Sequence, residues 1–236
     1  MSLRFEELDF QATPFGEVSL RRRIEPSTGV DVYEVKLGDE FLMSSLFTVA
    51  EEELSRLGLA AATGETLDVM VGGLGLGYTA VAALEDPRVS QVVVVDALAA
   101  VIDWHERGLL PVSAQLTGDE RVSFVLTDFF AMMRAAPETL YDALLIDIDH
   151  SPRNLLDPSH AELYTPAGLR GLAAFLRPRG VFALWSDDPP DEEFVADLQR
   201  VFATAAAHVV AFDNFLTGGT STNTVYVATV AGVAVS

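Results

Sequence analysis

The sequence predicts an α/β protein built on a mostly parallel sheet of about seven strands, with helices on both faces and one late antiparallel hairpin strand. Three features carry that prediction. Several apolar runs, residues 92–95 and 144–146 among them, are continuous rather than alternating, as strands covered on both faces require. A glycine-rich turn, residues 72–77, joins a short apolar run to a helical pattern. Near the end, residues 208–212 and 224–229 read as strands whose connection is too short for a crossover helix, so they pair antiparallel. The 236 residues divide into a small β-rich segment, 1–45, and one α/β domain, 46–236.

In chain order, residues 18–24 and 30–37 alternate or are β-branched, and they flank a hairpin turn at Pro26-Ser27-Thr28-Gly29. Arg21, Arg22 and Arg23 read as a solvated strand face. Thr48 and Glu51 have the form of a capping box, which predicts a helix to about Gly58 and gives Glu51, Glu52 and Glu53 a structural role beside its N-terminus. Residues 69–71 form a strand, the glycine turn follows, and a helix runs to Asp86-Pro87. The next strand, 92–95, closes on Asp96. A helix from about Ala99 is stopped by Pro111, and a strand at 122–126 leads to Asp128, which opens a short helix. Residues 144–146 run into Asp147-Ile148-Asp149-His150-Ser151-Pro152. Thr165-Pro166 starts a helix to about Leu176, residues 180–185 form a strand, and Asp191 opens a helix lasting to about Ala203.

Composition narrows the partners. With 15 basic against 35 acidic residues the net charge is −20, which disfavours nucleic acid and anionic membranes and concentrates cations. The absence of cysteine excludes disulfides and thiolate chemistry. No stretch is long and uncharged enough to cross a bilayer, and the N-terminus has no signal pattern, so a cytoplasmic protein is expected. The four histidines are not spaced as metal ligands, and no metal is expected.

Ligands of such sheets gather at the carboxyl ends of the strands. Asp96, Asp128, Asp147, Asp149 and His150 all fall there, with Asp187 and Asp188 as further candidates. Gly73, Gly75 and Gly77 let the backbone approach a ligand, and Asp96 at the next strand end can accept both hydroxyls of a ribose. Gly75-x-Gly77-x-x-Ala80 also satisfies a dinucleotide fingerprint, so a nicotinamide-dependent oxidoreductase stands as an alternative.

Over about residues 45–230 the chain resembles the spermidine synthase (polyamine aminopropyltransferase) family, within the Rossmann-like class I AdoMet-dependent methyltransferase fold. Residues 72–77 fall on that family's glycine run, Asp96 on its ribose-holding acid, and Asp128, with Phe129 beside it, on its adenine-proximal acid. Residues 141–152 match its catalytic loop, with Asp147 on the first loop aspartate. Three departures concern the substrate side. Leu76 stands where the family has an aspartate that holds the amine of decarboxylated AdoMet, His150 where it has its general base, and Ala50 within a conserved pair ahead of the first helix's glutamate, Glu51.

The resemblance implies AdoMet or decarboxylated AdoMet as co-substrate and transfer of a methyl or aminopropyl group to a small cationic amine. An amine must be neutral to attack a sulfonium carbon, and histidine, with a pKa of about 6.5, can take its proton as a carboxylate can. His150 is thus the candidate base, with Asp147 or Asp149 orienting it or attracting the amine. A nucleoside-binding protein without catalysis is the second alternative. The N-terminal strands are compatible with a homodimer.

Overall fold

A computed structural model describes residues 5–232; the ends of both predicted segments, 1–4 and 233–236, lie outside them. Four antiparallel strands come first: β1 (Phe5–Thr13), β2 (Gly16–Ile24), β3 (Asp31–Leu37) and β4 (Glu40–Ser44), paired in sequence order. Two of the four follow the sequence pattern. β1 and β4 carry no clear period, and pairing rather than patterning makes them strands. The arginine cluster is neutralised across this sheet: Arg22 meets Glu6 at 2.6 Å, and Arg23 meets both Glu25 and Glu34 at 2.6 Å.

The larger sheet has seven strands: β5 (Leu67–Gly72), β6 (Val89–Asp96), β7 (Val122–Leu126), β8 (Tyr141–Ile146), β9 (Leu176–Ser186), β10 (Thr204–Asn214) and β11 (Gly219–Thr229). Their order is β10-β11-β9-β8-β5-β6-β7, and β11 runs antiparallel to both neighbours while the pairs from β9 to β7 are parallel. That inserted antiparallel strand separates this sheet from an all-parallel dinucleotide fold. Because β5 has β8 on one side and β6 on the other, its carboxyl end is the point where crossovers diverge and a crevice opens.

Helices α1 (Val49–Ala61), α2 (Tyr78–Leu84), α3 (Ala99–Glu106), α4 (Ser113–Thr117), α5 (Phe129–Met133), α6 (Pro166–Ala173) and α7 (Glu192–Gln199) cover the two faces. Val69, Val71, Ala143 and Leu145 pack on one face with Leu54, Leu59 and Trp104, and Met70, Leu144 and Ile146 pack on the other with Phe129, Leu169 and Phe194. The period-2 split of each central strand therefore feeds two cores, which is why its sequence reads as continuously apolar. The predicted helix from Ala99 ends at Glu106, earlier than its pattern suggests, and α4 follows it as a separate turn.

Two identical devices pin the amino ends of neighbouring strands. Arg88, paired with Asp86 at 2.6 Å, donates to the Leu59 and Ala62 carbonyls at the end of α1. Arg121, paired with Asp119 at 2.7 Å, donates to Leu84 O at the end of α2 and to Val89 O. Each Asp-x-Arg unit thus satisfies carbonyls left unpaired at a helix end just before the next strand begins.

The small sheet is tied to α3 through Asp9, which accepts from Trp104 Nε1 at 2.6 Å and Gln11 Nε2 at 2.7 Å and lies 3.3 Å from Arg107. Burial raises the Asp9 pKa, but these donors outweigh it and leave it below the usual carboxylate range. Asp9→Ala would leave the buried indole N–H of Trp104 without a partner, and an urea titration followed by tryptophan fluorescence should show a loss of about 1–3 kcal/mol.

Candidate active site

Gly72, the last residue of β5, passes into a loop in which Gly73, Gly75 and Gly77 all take positive φ, at 94°, 46° and 92°. The loop is held from both sides. Gly73 N donates to Val95 O at 2.9 Å, and Asp147 N donates to Gly72 O at 2.8 Å. Below the loop, buried His105 contacts Gly75 O through Nε2 at 3.0 Å, so Nε2 carries the proton in that contact. Burial pushes the His105 pKa down, which keeps the ring neutral. His105 is a packing and bracing residue, as its place in the helix suggests.

Asp96 closes β6 beneath this loop. One oxygen accepts from Leu74 N at 2.9 Å and the other from Leu98 N at 2.8 Å, so each keeps a lone pair for a further donor. Burial raises its pKa, and the backbone N–H groups around it, those of Leu98 and Leu74 first, oppose the rise. Asp128 caps α5 through one oxygen, accepting from Phe130 N at 2.8 Å and Ala131 N at 3.1 Å, and its other oxygen has no protein partner among the described residues. Phe129 is buried, with its ring against Gly72. These carboxylates and the glycine loop fit a nucleoside: two acids with spare acceptor capacity face hydroxyl or amino donors, beside a backbone without side chains.

Asp147 follows β8, and Thr79 Oγ1 donates to its Oδ2 at 2.8 Å. Thr79 also lies 3.3 Å from the carbonyl of Glu51, while Ser55 Oγ donates to Thr79 O at 2.6 Å. The first turns of α1 and α2 are thereby stitched to the end of β8. Burial raises Asp147 to about 6, opposed by the Thr79 bond. Glu51 is pushed further, to about 8, by burial first and then by the charges of Asp147, Glu52 and Asp187, with its own backbone N–H opposing. Burial favours the neutral form of both acids, and the Asp147 charge holds the Glu51 proton to a still higher pH.

This overturns the structural reading of Glu51. No capping box forms: Thr48 makes no side-chain cap, and its hydroxyl instead donates to the Glu52 carboxylate at 3.0 Å. The Glu51 carboxyl is therefore not used as a cap, and it joins Asp147 as an acid of the site, where the sequence pattern points to Asp147 and Asp149. Thr79 was also missed, since a threonine at a helix start carries no signal beyond capping.

The remaining candidates part company. Asp149 is buried and fully engaged, accepting from Leu156 N, His160 Nδ1 and Tyr164 Oη, each at 2.8 Å. It ties down the loop ahead of α6, with His160 stacked on Phe130 at 3.6 Å, and it makes no hydrogen bond to His150. The expectation that a loop aspartate orients His150 is not met, because the nearest acid to the His150 ring is Glu40 of β4, 3.3 Å away. Leu76 is buried in the apolar cluster under the loop. Asp187 accepts from Asn223 Nδ2 at 2.7 Å, and Asp188 from Ser151 Oγ at 2.5 Å, so both brace loops at the sheet's carboxyl edge.

The architecture has counterparts among solved structures. A spermidine synthase from Thermotoga maritima superposes over 94% of this chain and 72% of its own, with a TM-score of 0.71 and 15% identity. The chain has the spermidine synthase fold. A spermidine synthase bound to the transition-state analogue AdoDATO matches with a TM-score of 0.70 and 16% identity over 94% of this chain and 72% of its own. A probable spermidine synthase from Corynebacterium glutamicum reaches 0.64 at 15% identity, over 95% of this chain and 79% of that one. No family model matches the sequence. Among curated proteins, putrescine N-methyltransferase 2 from Nicotiana tabacum is 27% identical over 139 residues, 57% of this chain. The counterpart from Nicotiana attenuata is equally similar over the same length, and the match spans only 38% and 36% of the two plant proteins. No helix among the described residues is long and apolar enough to cross a membrane.

Proposed function

We propose that the protein transfers a methyl or aminopropyl group from a sulfonium nucleoside, AdoMet or its decarboxylated form, to the nitrogen of an amine. The observation that carries this reading is Asp147 at the carboxyl end of β8, fixed by Thr79 and with the first turn of α1 at Glu51 tied to the same threonine, next to a glycine loop closed by Asp96. The spermidine synthase fold and the partial likeness to putrescine N-methyltransferases support it. Bound at the loop, the sulfonium nucleoside supplies an electrophilic carbon. Asp96 and Asp128 would hold its hydroxyl and amino groups, and Phe129 would wall the base.

The protein's own part is electrostatic and protolytic. A half-ionised acid pair attracts an ammonium group, and its ionised member takes the proton that the amine must lose before its lone pair attacks. A carbon–nitrogen bond forms as the carbon–sulfur bond breaks, and the electron pair leaves with sulfur as a neutral thioether. Thr79 fixes Asp147 for that step. His150 is then a residue of the mouth, beside Glu40, rather than the base.

Titration calorimetry with AdoMet, decarboxylated AdoMet, methylthioadenosine and NADH tests the nucleoside half. At least one of the first three should bind, and Asp96→Ala should weaken it about 10- to 100-fold through loss of charge-assisted hydrogen bonds. Tight NADH binding with none of the three would overturn the reading.

A further inference from the structure

A cleft of about 570 Å³ opens between the β4–α1 connection and the end of the β10–β11 hairpin. Its walls mix polar backbone with the apolar side chains of Leu46, Phe47, Val49, Phe212 and Phe215, and Asp213 is the one carboxylate. Phe47 sits between the other two rings, at 5.5 Å from Phe212 and 5.4 Å from Phe215. Phe215 and its neighbour Leu216 remain 44% and 55% exposed. Nothing in the fold requires three phenylalanines to gather at an open edge, where they keep apolar area in water.

The cleft lies at the start of α1: Thr48 and Val49 line it, and Glu51 follows in the same turn. In β10, Val210 is paired with Asn223, whose amide donates to Asp187, one of the charges that raises Glu51. Trp185 of β9 pairs with Val225, and its indole Nε1 is buried with no partner among the described residues. A buried donor without a partner is costly and is typically kept where something else completes it.

Resting on the group-transfer reading above, we infer that the acceptor is an amine carrying a bulky apolar substituent, an aryl-alkyl or long alkyl chain, rather than a short diamine. Its ammonium group meets Glu51 and Asp147, and its apolar body fills the cleft between Phe47, Phe212 and Phe215. A four-carbon diamine would leave the rings uncovered and bring a second cation against them, with only Asp213 to receive it.

The test titrates butylamine, putrescine and 4-phenylbutylamine into the full chain saturated with methylthioadenosine, so that binding is read without turnover. 4-Phenylbutylamine should bind at least about tenfold more tightly than butylamine and putrescine, as burial of a ring predicts. Phe212→Ala and the exposed-site variant Phe215→Ala should each erase most of that advantage and leave butylamine and methylthioadenosine binding unchanged. Putrescine binding as tightly as 4-phenylbutylamine, or equal losses for all three amines in both variants, would overturn the inference. Binding of methylthioadenosine with no amine detected would overturn it too while leaving the nucleoside site standing. Failure of methylthioadenosine itself to bind would instead strike the reading on which the inference rests.

Discussion

Asp147→Asn should lower kcat by roughly 100- to 10,000-fold, the usual contribution of a positioned proton acceptor, with little change in nucleoside affinity. His150→Ala should cost less than about tenfold on the same scale. The reverse ranking would return the base role to His150. Glu51→Gln separates electrostatics from chemistry. In the native pair, turnover should rise with pH through the titration near 6, as Asp147 ionises while Glu51 holds its proton. Because Glu51 already holds its proton through that limb, the rise near 6 should persist in Glu51→Gln, and ammonium affinity should fall relative to the native protein only above about pH 8, where Glu51 would ionise.

The same pair affects stability with a definite sign. Both folded-state pKa values are raised above the ordinary carboxylate range, so the pair's stabilising contribution is complete below about 4 and is lost as pH rises through 6 and 8. Glu51→Gln removes the costlier ionisation. Its melting temperature relative to the native protein should therefore climb between pH 5 and pH 9, by on the order of 2–6 °C in differential scanning calorimetry. A constant offset across that range would mean that Glu51 does not titrate upward.

The second large effect is expected at Gly73. A methyl group there would stand 2.1 Å from the Asp147 carbonyl oxygen, on a backbone with φ of 94°. The loop is threaded between Val95 and Asp147 and has no room to retreat. Gly73→Ala should cost about 3–5 kcal/mol, strain and overpacking together, and abolish nucleoside binding. Gly38→Ala is the control, because Gly38 has φ of 58° but nothing within 4 Å of the added carbon. Its loss in a denaturant titration should be only about 1 kcal/mol. Equal losses at the two positions would show that conformation, not the close approach, makes Gly73 necessary.

The larger sheet was legible because its central strands carry uninterrupted apolar runs and its turns carry glycine, proline and capping acids. Asp128, Thr165 and Asp191 cap helices as their positions suggest, with side chains accepting from the first-turn amides. The position of Asp96 under the glycine loop was legible for the same reason. What could not be read was how acids close in sequence or similar in pattern would divide their work. Asp147 and Asp149 lie two residues apart, yet one is held by a threonine of the distant helix α2 and the other is consumed by a loop. Glu51 matched a local motif well enough to hide its long-range contact. Side-chain direction at a helix start depends on tertiary neighbours, here the threonine and serine that join α1 to α2.

The Asp-x-Arg units before β6 and β7 have a consequence for how such a protein can change. They anchor helix ends and strand starts at the edge of the sheet remote from the crevice, so the framework does not depend on the loops that touch ligand. Residues at the far rim, such as His150 and the hairpin residue Phe215, can then be exchanged without disturbing the anchored rim. A scaffold fastened at one rim leaves the other rim free to vary.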